Sequence, residues 1–577
     1  ILLIMSDFSP LDRAKINVHR SSFDLSSKKL FTAKVGEILP CYWQIAIPDT
    51  KYRISSDWFT RTVPVNTAAY TRIKEYYDFY AVPLRLISRA LPQAFTQMTD
   101  YVTSATSDTH NTDILKDVPY SNLSDFSSYF DRIYNKDYFD DVSLPLAYGS
   151  VKILDMLGYG SFMKKEAASL GHVTAAYFGH SIASPTDNPL VYANSQRVNI
   201  LPILAYQKIY YDFFSNSQWE KHLAYAYNVD YWPGNTSIIP TSEMLKLRYA
   251  NYPKDYFMGV LPNSQYGSVA VLPSSFTPAY TSNRIVSDTR SNSYMFQHAG
   301  SGSVSMSESV SSNTPVTLNS DLSALSIRAT EYLQRWKEVV QFSSKDYSDQ
   351  MAAQFGVKAP EYMGNHAHYI GGWSSVININ EVLNTNLDTQ DSHASIAGKG
   401  VGSNTGHTIT YDCGAEHQVI MCVYHSVPML DWELSGQNPQ LTVSAVSDFP
   451  QPAFDQLGMQ PVPFLNFHNN LSVQGSGNLG YNLRYWQWKS SVDTIHAGFR
   501  TQGGYASWVA AVDGEEVLTP EAAFSYQSFK VRPQQMNSIF LPQVSGSHSS
   551  VQYDQLLCNV NFQVYAVQNL DRNGLPY

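Results

Sequence analysis

The chain is short of charge. Asp, Glu, Lys and Arg make up 15% of its 577 residues, against roughly 25% in an ordinary soluble domain. The deficit is not disorder, because aromatics reach 13% with 40 Tyr and disordered chains are poor in aromatics. Two readings fit this composition. One is a protein that hides much of its surface against partners, since interface cores lose charge and gain Tyr and Trp. The other is a single large Tyr-rich β protein of ordinary exposure. Positive charge is scarcer than negative, 39 Lys and Arg against 49 Asp and Glu, for a net charge of −10. That balance argues against a protein whose whole surface clamps nucleic acid, which requires Lys and Arg to neutralise phosphates. A local basic patch is compatible with it.

Cysteine is also scarce. Cys41, Cys413, Cys422 and Cys558 include a single pair of near neighbours, which is no disulfide framework of a small secreted domain; reduced thiols in a cytoplasm are the expectation. No apolar run approaches the ~20 residues of a membrane span. The opening Ile1–Met5 is apolar but short, and it lacks the basic start and cleavage pattern of a signal peptide.

Motifs that carry chemistry are missing or fail in context. There is no GxSxG elbow, no HExxH helix and no convincing carboxylate pair. Gly475–Gly480 spells GxGxxG, but a dinucleotide site needs a helix after the glycines, and the following YNLRYWQWK reads as a strand. The reading is a tight glycine turn. AGKGVG at 397–402 lacks the ending of a phosphate loop. Cys413, His417, Cys422 and His425 have the residue types of a zinc site, but along a strand Cys422 points away from the two His, and tetrahedral ligands must converge. His366 and His368 lack a third ligand, and a surface or interface pair is the simpler account. No catalytic residue, cofactor or metal is expected.

What is present reads as mainly β. Val35–Ile47 and Tyr76–Val82 are strand-like, the latter ending at Pro83. QVIMCV at 418–423 suits a buried strand, Tyr481–Lys489 an aromatic strand, and Cys558–Val567 alternates as a half-buried strand should. LPILAYQKIYYDFF at 201–214 is aromatic on nearly every face and has Pro202 at its start, so a short buried helix is predicted. Leu325, Ala329, Tyr332, Leu333, Trp336 and Val340 form the apolar face of a second helix. Residues 101–190 show no sustained period, and 263–320 are rich in Ser, Asn, Thr and Gly, which predicts an elaborated or disordered surface loop. Long loops and isolated helices between strands fit a β-barrel or jelly roll with insertions.

The segment from Asp12 to Lys34 carries Arg13, Lys15, Arg20, Lys28, Lys29 and Lys34 against Asp12 and Asp24. Lys15, Arg20, Lys28 and Lys29 are candidates for sequence-independent phosphate contacts. A solvated arm, or one lying on a neighbouring subunit, is the competing reading.

RSSFDLS at 20–26, FTAKVG at 31–36, FTRTVPVNTAAY at 59–70 and YDFYAVP at 77–83 resemble the opening of major capsid proteins of the Microviridae, small tailless phages with circular single-stranded DNA. FGVKAPEYMG at 355–364, GGWSSVININEVLNT at 371–385, EHQVIMCVYHSVPMLDWE at 416–433 and DFPQPAFDQLGMQ at 448–460 continue the likeness in the family's order. The flavour is similar to the gokushovirus-like and Bacteroidetes-associated branches. This resemblance implies an eight-stranded viral jelly roll with a few short helices, built into pentamers and a T=1 icosahedral shell. The expected layout is an N-terminal arm over 1–36 and a single jelly-roll domain over 37–577. Insertions fall at about 101–190 and 263–320, the latter a candidate threefold protrusion. It also implies partners: packaged single-stranded DNA, a small basic DNA-binding protein, an internal scaffolding protein, a pilot protein and a host surface receptor, with assembly in the bacterial cytoplasm. The alternative from another class is a Tyr/Trp-rich β protein that binds or cleaves polysaccharide, with YNLRYWQWK as its stacking strand.

Overall fold

The computed structural model describes residues 19–65, 69–88, 91–96, 118–123, 125–126, 146–160, 196–221, 238–271, 285–286, 292–299, 303–310, 324–357, 364–383, 396–469, 477–517, 524–536, 539–540 and 554–572. The chain forms two compact units, one of Ile1–Pro262 with Lys358–Tyr577 and one of Asn263–Val357.

Eleven strands make one hydrogen-bonded sheet in the first unit, nine of them on a continuous path. In chain order they are β1 (Ser21–Asp24), β2 (Ser27–Ala33), β3 (Glu37–Ala46), β4 (Lys51–Thr62), β5 (Ile73–Pro83) and β6 (Arg248–Tyr249). They continue with β7 (His368–Leu383), β8 (Ile396–Thr405), β9 (Ile409–Asp412), β10 (Gln418–Pro428) and β11 (Leu556–Gln568). From edge to edge the order is β1, β11, β4, β8, β7, β5, β10, β3, β6, with β2 also on β11 and β9 also on β4. Every pairing is antiparallel. Eight strands build the body, while β1, β2 and β6 extend its edges. β7 joins the two halves, since His368–Ile377 pairs with β5 and Asn378–Leu383 with β8. Consecutive strands β3, β4 and β5 alternate between halves, which is the wrapping of a jelly roll.

The halves face each other across an aromatic core. Trp58 lies 5.2 Å from Tyr77, Phe79 5.8 Å from Phe562, Tyr42 5.5 Å from Phe562 and Phe31 5.2 Å from Tyr424 between ring centroids. Their outer faces differ, and the sequence shows it. β3 and β10 are covered on both sides, so they are nearly continuous apolar runs. The covering elements are helix α1 (Leu146–Met156) and helix α2 (Leu201–Ile209). Tyr206 Oη donates to the Ile38 carbonyl at 2.9 Å, and Trp43 Nε1 to the Leu157 carbonyl at 2.8 Å. β4 and β11 have solvent on the outside and alternate strictly.

Several expectations hold. QVIMCV is buried in β10, Cys558–Val567 alternates within β11, and 201–214 is a buried helix whose last turn, Tyr210–Phe214, widens to a π-helix. Others need correction. α1 lies inside the stretch read as loop: Ser150, Val151, Lys152, Ile153 and Leu154 are all buried and Asp155 is exposed, so five successive inward positions blur the period that a broad polar face would mark. The aromatic strand at 481–489 stops at Leu483, because Tyr485 takes a left-handed φ of 62° and Trp486–Trp488 form a 3-10 turn.

In the second unit Asn292–Ala299 and Ser303–Val310 pair as an antiparallel hairpin, joined by Ile285–Val286. The loop expected there thus contains strands. SVSMSESV alternates Ser with Val304, Met306, Glu308 and Val310, a period of two that a Ser-rich composition hides. Helix α3 (Ala324–Phe342) follows where expected, and helix α4 (Tyr347–Phe355) is capped by Asp346, which accepts from Ser348 N at 3.0 Å. Leu325, Tyr332, Leu333 and Trp336 of the apolar face are exposed.

Candidate functional site

The basic N-terminal segment was the sequence's one candidate site. Lys15 lies outside the described residues. Arg20 is committed elsewhere: its guanidinium pairs with the Asp49 carboxylate at 3.1 Å and donates to the Asp49 carbonyl. Lys34 is buried at the turn into β3, where its backbone N–H donates to Glu37 Oε2 at 2.8 Å. Lys28 and Lys29 stand exposed on β2 with no ion pair among the described residues. From Ser21 onward the segment is no loose arm. Ser21–Asp24 pairs with Tyr565–Gln568, and Ser27–Ala33 with Leu556–Phe562. Edge-strand pairing sends Lys28 and Lys29 to opposite faces of β2, Lys28 opposite Asn561 and Lys29 opposite Val560, while Arg20 is held at Asp49.

The metal look-alikes separate. His417 stacks on Phe95 with centroids 4.2 Å apart, and His425 stacks on Tyr76 at 4.7 Å. Cys422 faces β3, whose bulge at Cys41 brings the Cys41 thiol 3.5 Å from the Cys422 carbonyl. All four cysteines are free and buried, and burial pushes the Cys413 thiol up to about 12. Among the described residues no group of His, Cys, Asp or Glu is placed to hold a metal. The AGKGVG glycines sit on β8, where a Cβ at Gly400 would meet Thr62 Cγ2 at 2.4 Å and one at Gly402 would meet Glu75 Oε1 at 2.9 Å. Their role is close packing, and they cradle no phosphate. Gly477 leads directly into the strand Asn478–Leu483, while Gly475 and Ser476 are outside the described residues.

The polar groups with the most unusual settings are interior ones that sequence reading missed. Glu75 is fully buried between the sheet halves and accepts from Ser375 Oγ at 2.5 Å, Thr60 Oγ1 at 2.7 Å, Trp58 Nε1 at 3.0 Å and Tyr424 Oη at 3.3 Å. Loss of water raises its pKa, and these four donors offset only part of that. The signal was available: Ile73, Tyr77 and Phe79 point inward, and the period of two puts Glu75 with them. Asp78, on the other face, is pushed up to about 6 by burial, with Tyr369 Oη at 3.2 Å opposing the shift. Burial holds His425 down at about 3, its Nδ1 3.8 Å from Asp78. Lys152 Nζ is buried between Glu37 at 2.6 Å and Asp554 at 3.1 Å. These groups join strands and helices into one body.

Capsid protein VP1 of Chlamydia phage 1 is 23% identical to this chain over 210 residues, which is 34% of each protein; the match therefore spans about a third of that relative's length. Residues 167–570 match the family described as Capsid protein (F protein). That match covers more than half of the chain, and the chain belongs to this phage capsid protein family.

Proposed function

We propose that this chain is the major subunit of a T=1 icosahedral shell that encloses the circular single-stranded DNA genome of a small tailless phage. The observation that carries this reading is the family match over residues 167–570, on a jelly-roll body with low charge and abundant aromatics. Pentamers are the assembly unit in this reading, and the bacterial cytoplasm is where it assembles. An internal scaffolding protein, a pilot protein, a small basic DNA-binding protein and a host surface receptor are its partners. The net charge of −10 supports a basic partner, because an acidic shell lacks the cations to neutralise a genome by itself. Residues 263–320, part of the compact unit Asn263–Val357, are the candidate threefold protrusion. Density with nothing projecting from these residues at a threefold axis would remove that assignment.

Sedimentation of the purified chain tests the main claim. A megadalton particle is the expected result, and a stable 64.7 kDa monomer under assembly-permissive conditions would refute it. For the basic segment, the accessible pair is Lys28 and Lys29. Changing both to Gln should lower genome content or the salt stability of particles, and normal values of both would end their assignment to DNA.

A further inference from the structure

The outward side of β2, β11, β4 and β8 carries side chains that the fold does not use. Alternation along β4 buries Tyr52, Ile54, Ser56, Trp58 and Thr60 and sends Arg53, Asp57 and Arg61 into solvent, with Phe59 half-buried among them. The register with β11 sets Leu557 beside Arg61, Asn559 beside Phe59 and Tyr565 beside Arg53. β2 adds Lys28 and Leu30, opposite Asn561 and Asn559. Leu30 is 71% exposed and Tyr565 51%.

The Arg61 guanidinium lies 4.9 Å over the Phe59 ring. Beside it an open groove of about 470 Å³ is lined by Leu30, Phe59, Arg61, Leu557 and Asn559. Lys28, Arg53 and Arg61 have no ion pair among the described residues. Carboxylates are also present: Asp57 accepts from Gln563 at 3.3 Å, Asp412 pairs with Lys51 at 3.3 Å, and Asp24 lies opposite Tyr565.

The core of a protein–protein contact is depleted of charge, whereas this face intersperses unpaired cations with rings and amides. That mixture suits a nucleic-acid single strand. Cations follow the phosphates, every base has a face to stack, and no sequence need be read. We propose that this face is a sequence-independent platform for single-stranded DNA. Phe59 and the adjoining groove take a base, Asn559 lies within reach of its edge, and Arg61, Arg53 and Lys28 meet phosphates. Arg53 and Arg61 lie roughly 26 Å apart along β4 at ~3.3 Å per residue, room for several nucleotides. The inference rests on the reading that the shell surrounds single-stranded DNA, and it names the surface that does so.

The test is fluorescence anisotropy of an end-labelled oligodeoxythymidylate with the full-length chain across a salt series, with sedimentation of each protein in parallel. The Lys28→Gln/Arg53→Gln/Arg61→Gln variant should bind at least tenfold more weakly, with the salt slope reduced by about two, from ~0.7 per lost phosphate contact. Phe59→Leu should lose about tenfold with the slope unchanged, while Phe59→Tyr and the control Lys254→Gln/Lys489→Gln, whose residues lie on none of these strands, bind like wild type. Wild-type affinity and slope in the triple variant overturn the platform. So does a triple variant that binds DNA normally but no longer forms particles, which would make the face a subunit contact. Melting curves identify any variant that fails to fold; if Phe59→Leu is one, loss of binding in a well-folded Phe59→Tyr overturns the stacking role. A wild-type chain that forms particles but does not bind the oligonucleotide while unassembled overturns the platform and leaves the shell reading standing. A chain that does neither overturns both.

Discussion

Glu75 offers the sharpest test of how this fold is held together. Its carboxyl is fully buried and takes four donors from β4, β7 and β10. Glu75→Ala removes the side chain from a packed interior and leaves Thr60, Ser375 and Tyr424 to find other acceptors. Trp58 Nε1 keeps Ser375 Oγ at 3.0 Å. A partly collapsed void and one or two orphaned donors together cost about 3–5 kcal/mol. Glu75→Gln keeps the volume and an acceptor, and the hydroxyls around it can turn to receive its amide, so at pH 5 it should lie within about 1 kcal/mol of wild type. The two variants differ most in pH dependence. Burial raises the Glu75 pKa in the fold, so the folded state holds its proton where the unfolded chain has released it. The stability from this group is full below the unfolded value and is lost as pH rises through the folded one. Gln cannot ionise and escapes that loss. Urea denaturation of the unassembled chain at pH 5 and pH 8, followed by Trp fluorescence, reads both effects. Wild type should weaken relative to Glu75→Gln on going to pH 8. Equal pH dependence in the two proteins, or an Ala variant costing under about 1 kcal/mol, would refute the account.

Three further outcomes follow from the same packing. Lys152→Met leaves Glu37 and Asp554 buried without their cation, at a cost of about 3–5 kcal/mol measured by chemical denaturation at pH 7. Gly402→Ala places a methyl 2.9 Å from Glu75 Oε1 and 3.0 Å from Ile377 Cγ1; overpacking should lower stability by about 1–3 kcal/mol with no change in the denaturant slope. His425 is held neutral in the fold down to about pH 3 while its unfolded imidazole protonates near ~6.5, so this group costs stability as pH falls, about 2 kcal/mol at pH 5. His425→Phe, stacked in the same place on Tyr76, should lose that acid sensitivity in melting curves at pH 5 and pH 7. Asp78, raised to about 6, works in the opposite sense, its stability lost as pH rises through that value, so the comparison is made between variants and not between pH values alone.

The sequence disclosed what is periodic and local. β11 was legible because one face is solvated and the other packed; β10 was legible as an unbroken apolar run because helices cover it. α1 was illegible because residues 150–154 are buried in succession and leave little polar face to mark a period. The site followed the same rule. That Glu75 points inward could be read from Ile73, Tyr77 and Phe79, but its acceptor role depends on Ser375, which is 300 residues away. The basic arm was legible only as a charge count. Charge counting credited Arg20 and Lys34 with free cations, whereas the fold pairs one with Asp49 and buries the other. Lys28 and Lys29 became an oriented edge only through a strand more than 500 residues distant. Long-range pairing therefore decides which cations remain available, and composition cannot.

That has a consequence for how tightly this protein should hold DNA. Three unpaired cations on the platform, together with Lys29 at the edge, can neutralise only a few phosphates per subunit, and the chain as a whole is acidic on balance. With roughly 0.7 in log–log salt slope for each single-strand phosphate contact, three to four contacts give a slope of about two to three. Affinity should then fall about tenfold or more between 50 and 200 mM salt. Such binding can line a genome against a shell wall and cannot condense it, so the shell reading requires a separate source of positive charge inside the particle. Anisotropy at those two salt concentrations measures the fall directly. Salt-insensitive binding by the isolated chain would mean that contacts other than these cations hold the strand.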